Sequence, residues 1–316
     1  GMDMKDGDYI EHLFVCSSHD YLLFFSNRGK VYRSKVYELP EASRTAKGRA
    51  LVNVLPLREG ERIQSVLSTR DFAEAEYLVF ATKHGTIKKT RFADYNTPIK
   101  ADGIIAIGIR EDDELVAVRR VDAGEEILMV SKKGLTVRFE EDEVRAMGRP
   151  AGGVRGMTIA GAGNEVLAMD VARDDQELLV VTENGFGKRT PVGEYRKTSR
   201  GTKGVQTIKF SEKRGGLAAA LVVRPHQELV FISQEGMVQR TNVRGIRQTG
   251  RAAQGVTLMN VRDEDRVSAV ALVVESDGQT AAAVAAADAS AAPVELSADS
   301  GETLPPGPPD DEDAEA

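Results

Sequence analysis

Ser18, His19 and Asp20 supply the three residue types of a nucleophilic triad. A triad is assembled in space from separated segments, so three chain neighbours cannot present one, and this trio is expected to make the turn into a first hairpin. Phe186-Gly-Lys-Arg-Thr190 ends like a phosphate-binding loop. That loop needs Ser or Thr directly after its lysine and a glycine five residues before its second glycine, where Arg189 and Thr182 stand. Gly161-Ala-Gly163 lacks the third glycine of a dinucleotide site and precedes an apolar strand pattern, not a helix. His12, His19, His84 and His226 are too scattered for a metal cluster, and no cofactor is expected. The single cysteine, Cys16, excludes an intramolecular disulfide and fits a reducing, cytoplasmic compartment.

The chemistry that does recur is positive charge at matched places. Arg28, Lys30, Arg33 and Lys35 correspond to Lys83, Lys88, Lys89 and Arg91, then to Lys188 and Arg189, and then to Arg240 and Arg244. Further bases precede a second set of glycines: Arg44, Lys47 and Arg49; Lys100; Arg145 and Arg149; Arg196, Lys197, Arg200 and Lys203; Arg247 and Arg251. A ring symmetry would place these on one repeated surface as a basic belt. Cations that neutralise phosphates release condensed counterions, so such a belt suits a polyanion and makes its binding salt-dependent. With no tryptophan and 5% aromatic residues there is little to stack single-stranded bases on, which favours a duplex contacted through its backbone.

The elements that carry these bases form an internal repeat. The segments 21–33, 77–89, 126–138, 177–189 and 228–240 each read as a buried apolar strand, a polar turn ending in glycine and a second strand that leaves with basic residues. The turn glycines Gly29, Gly85, Gly134, Gly185 and Gly236 are spaced by 56, 49, 51 and 51 residues. A second glycine follows each at 18 or 19 residues: Gly48, Gly103, Gly153, Gly204 and Gly255. Behind these come further predicted strands at 51–55, 104–107, 154–157, 205–208 and 256–259, and each unit closes with an apolar stretch such as 115–118 or 166–169. Four strands per unit at a period near 50 predict an all-β, propeller-like ring of blades. The stretch 8–15 resembles the last strand of a preceding unit, and 267–274 the last strand of the fifth complete one.

Charge divides the 316 residues in two. Between Ser276 and Ala316 lie ten acidic residues and no Lys or Arg, so of the 49 acids and 42 bases in the chain, the body retains 39 and 42. The expected organisation is a folded domain at 1–275 and a disordered acidic tail at 276–316, which is also rich in Ala, Ser and Pro. No apolar run approaches the roughly 18 residues of a membrane span, so no membrane partner is expected.

The strings Leu13-Phe-Val-Cys-Ser-Ser-His-Asp20, Phe25-Ser-Asn-Arg-Gly-Lys-Val-Tyr32 and Glu38-Leu-Pro-Glu-Ala-Ser-Arg-Thr-Ala-Lys-Gly48 resemble the gyrase A family of bacterial type IIA DNA topoisomerases. So do Arg145-Ala-Met-Gly148 and Asn184-Gly-Phe-Gly-Lys-Arg-Thr190. The resemblance spans residues 6 to about 274 and implies a six-bladed β-pinwheel that binds and wraps duplex DNA, its first blade truncated here. It further implies that bond chemistry and ATP hydrolysis reside elsewhere, with the remainder of gyrase A and the gyrase B polypeptide as partners in a heterotetramer, while the isolated domain is monomeric. The family carries a basic glycine-rich box in its first blade, expected just upstream of this sequence. The nearest internal counterparts are Ser199–Gly204, which keeps Arg200, Gly201, Lys203 and Gly204, and the weaker Ser43–Gly48. The alternatives are the equivalent domain in the topoisomerase IV counterpart of gyrase A and a protein-binding propeller scaffold, with an unrecognised enzyme third.

Overall fold

The computed structural model describes residues 16–43, 46, 48–211, 214–262 and 264–273. The chain divides into two units, Gly1–Val274 and Glu275–Ala316. The second, with the expected tail, and the strand remnant expected at 8–15 lie outside the described residues.

Each sequence repeat begins with its hairpin. In chain order the strands of the first two repeats are β1 (Tyr21–Ser26), β2 (Lys30–Lys35), β3 (Ile63–Thr69), β4 (Tyr77–Thr82), β5 (Thr86–Arg91), β6 (Ile104–Ile105) and β7 (Leu115–Val121). The next two supply β8 (Glu126–Ser131), β9 (Leu135–Glu140), β10 (Val154–Arg155), β11 (Val166–Ala172), β12 (Glu177–Thr182), β13 (Phe186–Pro191), β14 (Val205–Gln206) and β15 (Leu217–Val223). The fifth adds β16 (Glu228–Ser233), β17 (Val238–Asn242), β18 (Val256–Thr257) and β19 (Val267–Val273). Every hairpin closes alike. The hydroxyls of Ser26, Thr82, Ser131, Thr182 and Ser233 accept the backbone N–H four residues on, at 3.1–3.3 Å, and the glycine between them takes a positive φ of 72–88°.

The described residues build five blades, not six. Four have four strands in the orders β3-β1-β2-β6, β7-β4-β5-β10, β11-β8-β9-β14 and β15-β12-β13-β18, and the fifth has three, β19-β16-β17. The blades are not built from one repeat each, as the repeat period predicts. The short strand after each second glycine crosses back to the preceding hairpin, so β6 of the second repeat completes the first blade and β18 of the fifth completes the fourth.

This exchange explains the constancy of the second glycine. Gly103, Gly153, Gly204 and Gly255 all have positive φ, and a Cβ there would stand 2.8, 2.4, 2.6 and 2.6 Å from the carbonyl oxygens of Val31, Ile87, Thr136 and Gly187 in the preceding hairpin. Gly48, at the matching place in the first repeat, has neither the positive φ nor any atom within 4 Å. The segment predicted as a strand behind it, 51–55, starts as a 3-10 turn at Leu51–Asn53 with Leu51 and Val52 exposed. Its counterparts gain strand geometry only by pairing with a preceding hairpin, and no such hairpin exists among the described residues.

The central strand of each blade reads as an unbroken apolar run because both of its faces are covered. Leu78 and Phe80 pack with Leu23 and Phe25 of the first blade, while Val79 and Ala81 pack with Ile127 and Met129 of the third. The same alternation continues through Leu128 and Val130 against Leu178 and Val180, and through Leu179 and Val181 against Leu229 and Phe231. Each such side chain contributes on the order of 1.5–3 kcal/mol. The strands β3, β7, β11, β15 and β19 pack successively at the inner edge. The opposite edge carries the two-residue exchanged strands and the loops that lead to them.

Candidate nucleic-acid interface

The base four residues after each turn glycine is Arg33, Lys89, Arg138, Arg189 or Arg240. The first four bind the following repeat. Arg33 donates to Thr97 O at 2.9 Å and stacks 4.2 Å from the Tyr21 ring. Lys89, which is buried, donates to Glu141 O at 3.1 Å and pairs with the Glu141 carboxylate. Arg138 donates to Val192 O and Tyr195 O at 3.0 Å and pairs with Glu126 and Asp174. Arg189 donates to Ile246 O at 2.7 Å and pairs with Glu177 at 2.6 Å. Arg240 is exposed and pairs with Glu228 in its own hairpin. Matched positions in the repeat therefore report a blade-to-blade clip.

Lys88 and Lys188 have no exposed surface, which removes them from any face a duplex can reach. Lys88 Nζ donates to Ala106 O at 2.6 Å and to Arg149 O, and Lys188 Nζ donates to Gly250 O at 2.6 Å and to Arg251 O. Loss of hydration, reinforced by the nearby Arg149 charge, pushes the Lys88 ammonium down to about 7. Burial pushes Lys188 down to about 8. Lys30 and Lys35 are also engaged, at 2.9 Å with Asp102 O and His19 O, and Lys83 pairs with Glu114 at 2.7 Å.

The Ser199–Gly204 loop likewise serves the packing. Gly201 N–H donates to Gly156 O at 2.6 Å, and Arg200 donates through its N–H to the Glu143 carboxylate at 2.8 Å, through Nε to Glu143 O at 2.9 Å and through Nη1 to Arg155 O at 3.0 Å. Only Lys203 of this loop's candidate cations points a free, exposed side chain outward. The residues 17–20 form the expected turn, with Ser17 N–H bonded to the Asp20 carboxylate at 3.0 Å.

Of the candidate cations that remain exposed, most sit on the loops of the outer edge, while Arg28 lies in the turn of the first hairpin. Among the described residues, no hydrogen bond or ion pair engages the exposed side chains of Lys100, Arg196, Lys203, Arg244 and Arg247, nor those of Arg28 and Arg49. Arg145, also exposed, is equally unengaged, and Arg91 only lies over the Tyr77 ring at 6.0 Å. Lys197 is exposed but paired with Glu126 and Glu140. Arg149 and Arg251 are half-buried, with unengaged guanidinium groups. Arg44 and Lys47 lie outside the described residues. Two of these loops join each other: Arg251 N–H donates to the Glu194 carboxylate at 3.1 Å.

Among the described residues no group of His, Cys, Asp and Glu could hold a metal, and no helix is long and apolar enough to cross a membrane. The family described as DNA gyrase C-terminal domain, beta-propeller, matches residues 20–70, 76–122, 125–172, 176–224 and 227–273, each block running from a hairpin to the inner strand of its blade. The DNA gyrase A protein of Mycolicibacterium smegmatis is 41% identical over 294 residues, covering 92% of this chain and 35% of that protein. The Staphylococcus epidermidis protein is 42% identical over 280 residues, covering 88% and 31%. The chain thus spans about a third of the length of these relatives. A solved DNA gyrase A C-terminal domain superposes with a TM-score of 0.75 at 26% identity, covering 86% of this chain and 88% of that one. The C-terminal domain of DNA topoisomerase IV gives 0.75 at 25%, covering 92% and 90%.

Proposed function

This chain belongs to the DNA gyrase C-terminal domain family, and from that premise we propose that it binds and wraps duplex DNA by offering phosphates the outer edge of its blades. The observation that carries the reading is the set of exposed, unengaged cations on the edge loops, Arg196, Lys203, Arg244 and Arg247 foremost, left over once the clipped bases are set aside. Their long side chains meet phosphate oxygens without reading bases, so the binding is weakly sequence-selective. The chain performs no bond chemistry in this reading. It acts in the cytoplasm as the wrapping module of a gyrase whose remaining gyrase A segments and gyrase B polypeptide break and rejoin DNA and hydrolyse ATP.

The exchange rule also supports the six-bladed ring. Among the described residues no strand pairs with the outer edge of β17, where Val238 is exposed, and no hairpin is present for residues 51–55 to join. A sixth blade placed between the fifth and the first would answer both, accepting 51–55 at its own hairpin and lending a short strand to β17.

The test is a salt series with linear duplex. Log affinity is expected to fall steeply against log salt, by roughly 0.9 per phosphate contacted. A flat dependence, or a strong preference for one sequence, overturns the reading.

A further inference from the structure

The basic belt is not uniform. The bridging loop 192–204 carries Arg196, Lys197, Arg200 and Lys203 against a single acid, Glu194, and the loop 243–255 carries Arg244, Arg247 and Arg251 with no acid at all. The equivalent loops earlier in the chain carry less net positive charge: Asp94 and Asp102 outweigh Lys100 in 92–103, and in 141–153 Arg145 and Arg149 stand beside three acids, of which Glu141 pairs with Lys89, Glu143 bonds to Arg200 and Asp142 is left exposed. Asp94, Asp102 and Asp142 are all exposed.

Resting on the duplex-binding reading above, we infer that the chain grips DNA asymmetrically, on the arc formed by loops 192–204 and 243–255, while the loops 92–103 and 141–153 hold it weakly or not at all. The arc is one continuous surface. Loop 192–204 leads from the fourth blade to the edge strand of the third, loop 243–255 leads from the fifth to the edge strand of the fourth, and Glu194 ties the two together through Arg251 N–H. The same device tethers loop 192–204 to Glu143 of the preceding repeat. Glu194 and Glu143 thereby spend their charge on backbone N–H groups at the base of the arc. At the earlier loops, by contrast, exposed carboxylates face solvent, where a polyphosphate meets repulsion within the roughly 8–10 Å reach of a charge at physiological salt. The asymmetry is one of charge placed on a common scaffold, since the blades beneath are alike in strand order.

Two charge-neutralised forms of the whole chain test this. The first replaces Arg196, Lys203, Arg244 and Arg247 with Gln, and the second replaces Lys100 and Arg145 with Gln. All six side chains are exposed and unengaged. The first form is expected to lose affinity for linear duplex by roughly tenfold or more near physiological salt, with a salt slope shallower by about three to four, whereas the second changes the slope by well under one, against roughly 1.8 if both of its cations met phosphates as fully. Photocrosslinking side chains placed singly at 203 and 247 should capture DNA, and those at 100 and 145 should not, which tests the arc without loss of charge elsewhere. Equal losses per charge from both forms, or equal crosslinking from all four positions, overturn the asymmetry while leaving duplex binding in place. Salt-independent binding by the unmodified chain overturns the underlying reading and the asymmetry with it.

Discussion

The backbone N–H of Arg251 donates to the Glu194 carboxylate across 3.1 Å, repeating one unit later the 2.8 Å bond from Arg200 N–H to Glu143. A charged acceptor on a backbone donor contributes about 1.5–3 kcal/mol. Glu194→Ala is therefore expected to lower stability toward urea by roughly that amount or less, the site being partly hydrated, and to expose the Arg251 amide. Hydrogen exchange reads this directly. Unchanged protection at residues 249–252 would show that the loop is held without this bond, by Lys188 and by the Thr249 N–H bond to Arg189 O.

The second glycines divide into two kinds. Gly153→Ala combines a φ of +92° with a Cβ 2.4 Å from Ile87 O, and is expected to cost roughly 2 kcal/mol or more. Gly48→Ala meets nothing within 4 Å and should stay within about 0.5 kcal/mol of the parent. Equal effects at both positions, measured by urea denaturation, would remove strand exchange as the reason for the repeated glycine.

Lys88 links stability to pH. Its folded value is near 7 and its ordinary value is 10.5, so between these the unfolded chain binds more protons than the folded one. Stability contributed by this group therefore rises as pH increases through that window and is flat below it. The thermal midpoint of Lys88→Met should rise less steeply from pH 7 to about 9 than that of the parent, with Lys188, depressed to about 8, supplying part of what remains. Parallel curves for the two proteins would show that the buried ammonium keeps its ordinary affinity for protons.

Removal of residues 276–316 takes away ten carboxylates and no base. Carboxylates carried on the same chain as phosphate-binding cations are expected to compete with phosphate at high effective concentration. Affinity for duplex is expected to increase on deletion, most at low salt, where screening is least. An unchanged low-salt affinity in a gel-shift titration would mean that the segment does not compete with DNA.

The hairpins are legible in the sequence because local chemistry writes them: an apolar run, a Ser or Thr, and a glycine one turn later are all within reach of each other at Ser26 and Gly29 or Thr82 and Gly85. The partner of Ile104–Ile105 is not legible. Two residues carry no periodicity, and their pairing with Lys30–Val31 lies far away along the chain, so repeats look like blades. The basic residues mislead for a related reason. Lys88 and Lys100 are alike as letters, and only the carbonyls brought by Ala106 and Arg149 decide that one is interior. A signal exists in Arg138, Arg189 and Arg240, each twelve residues after a glutamate, at 126, 177 and 228: a base matched to an acid at fixed spacing marks an ion pair inside the fold. The charge contrast between 192–204 and 141–153 is also present in the sequence, but averaging over repeats erases it.

Strand exchange has a consequence for synthesis on the ribosome. The first hairpin is complete when Lys35 emerges, yet the strand that covers its edge, Ile104–Ile105, lies about 70 residues further on. At about 5–20 residues per second this is a wait of roughly 4–14 s. Each blade in turn remains open until the next hairpin has been made, so the nascent chain always presents one unfinished edge, and it is always the newest. Because that edge belongs to the last hairpin translated, the template it offers to a neighbouring chain is short-lived at every position except the final one, β17, which no described residue of its own chain ever covers.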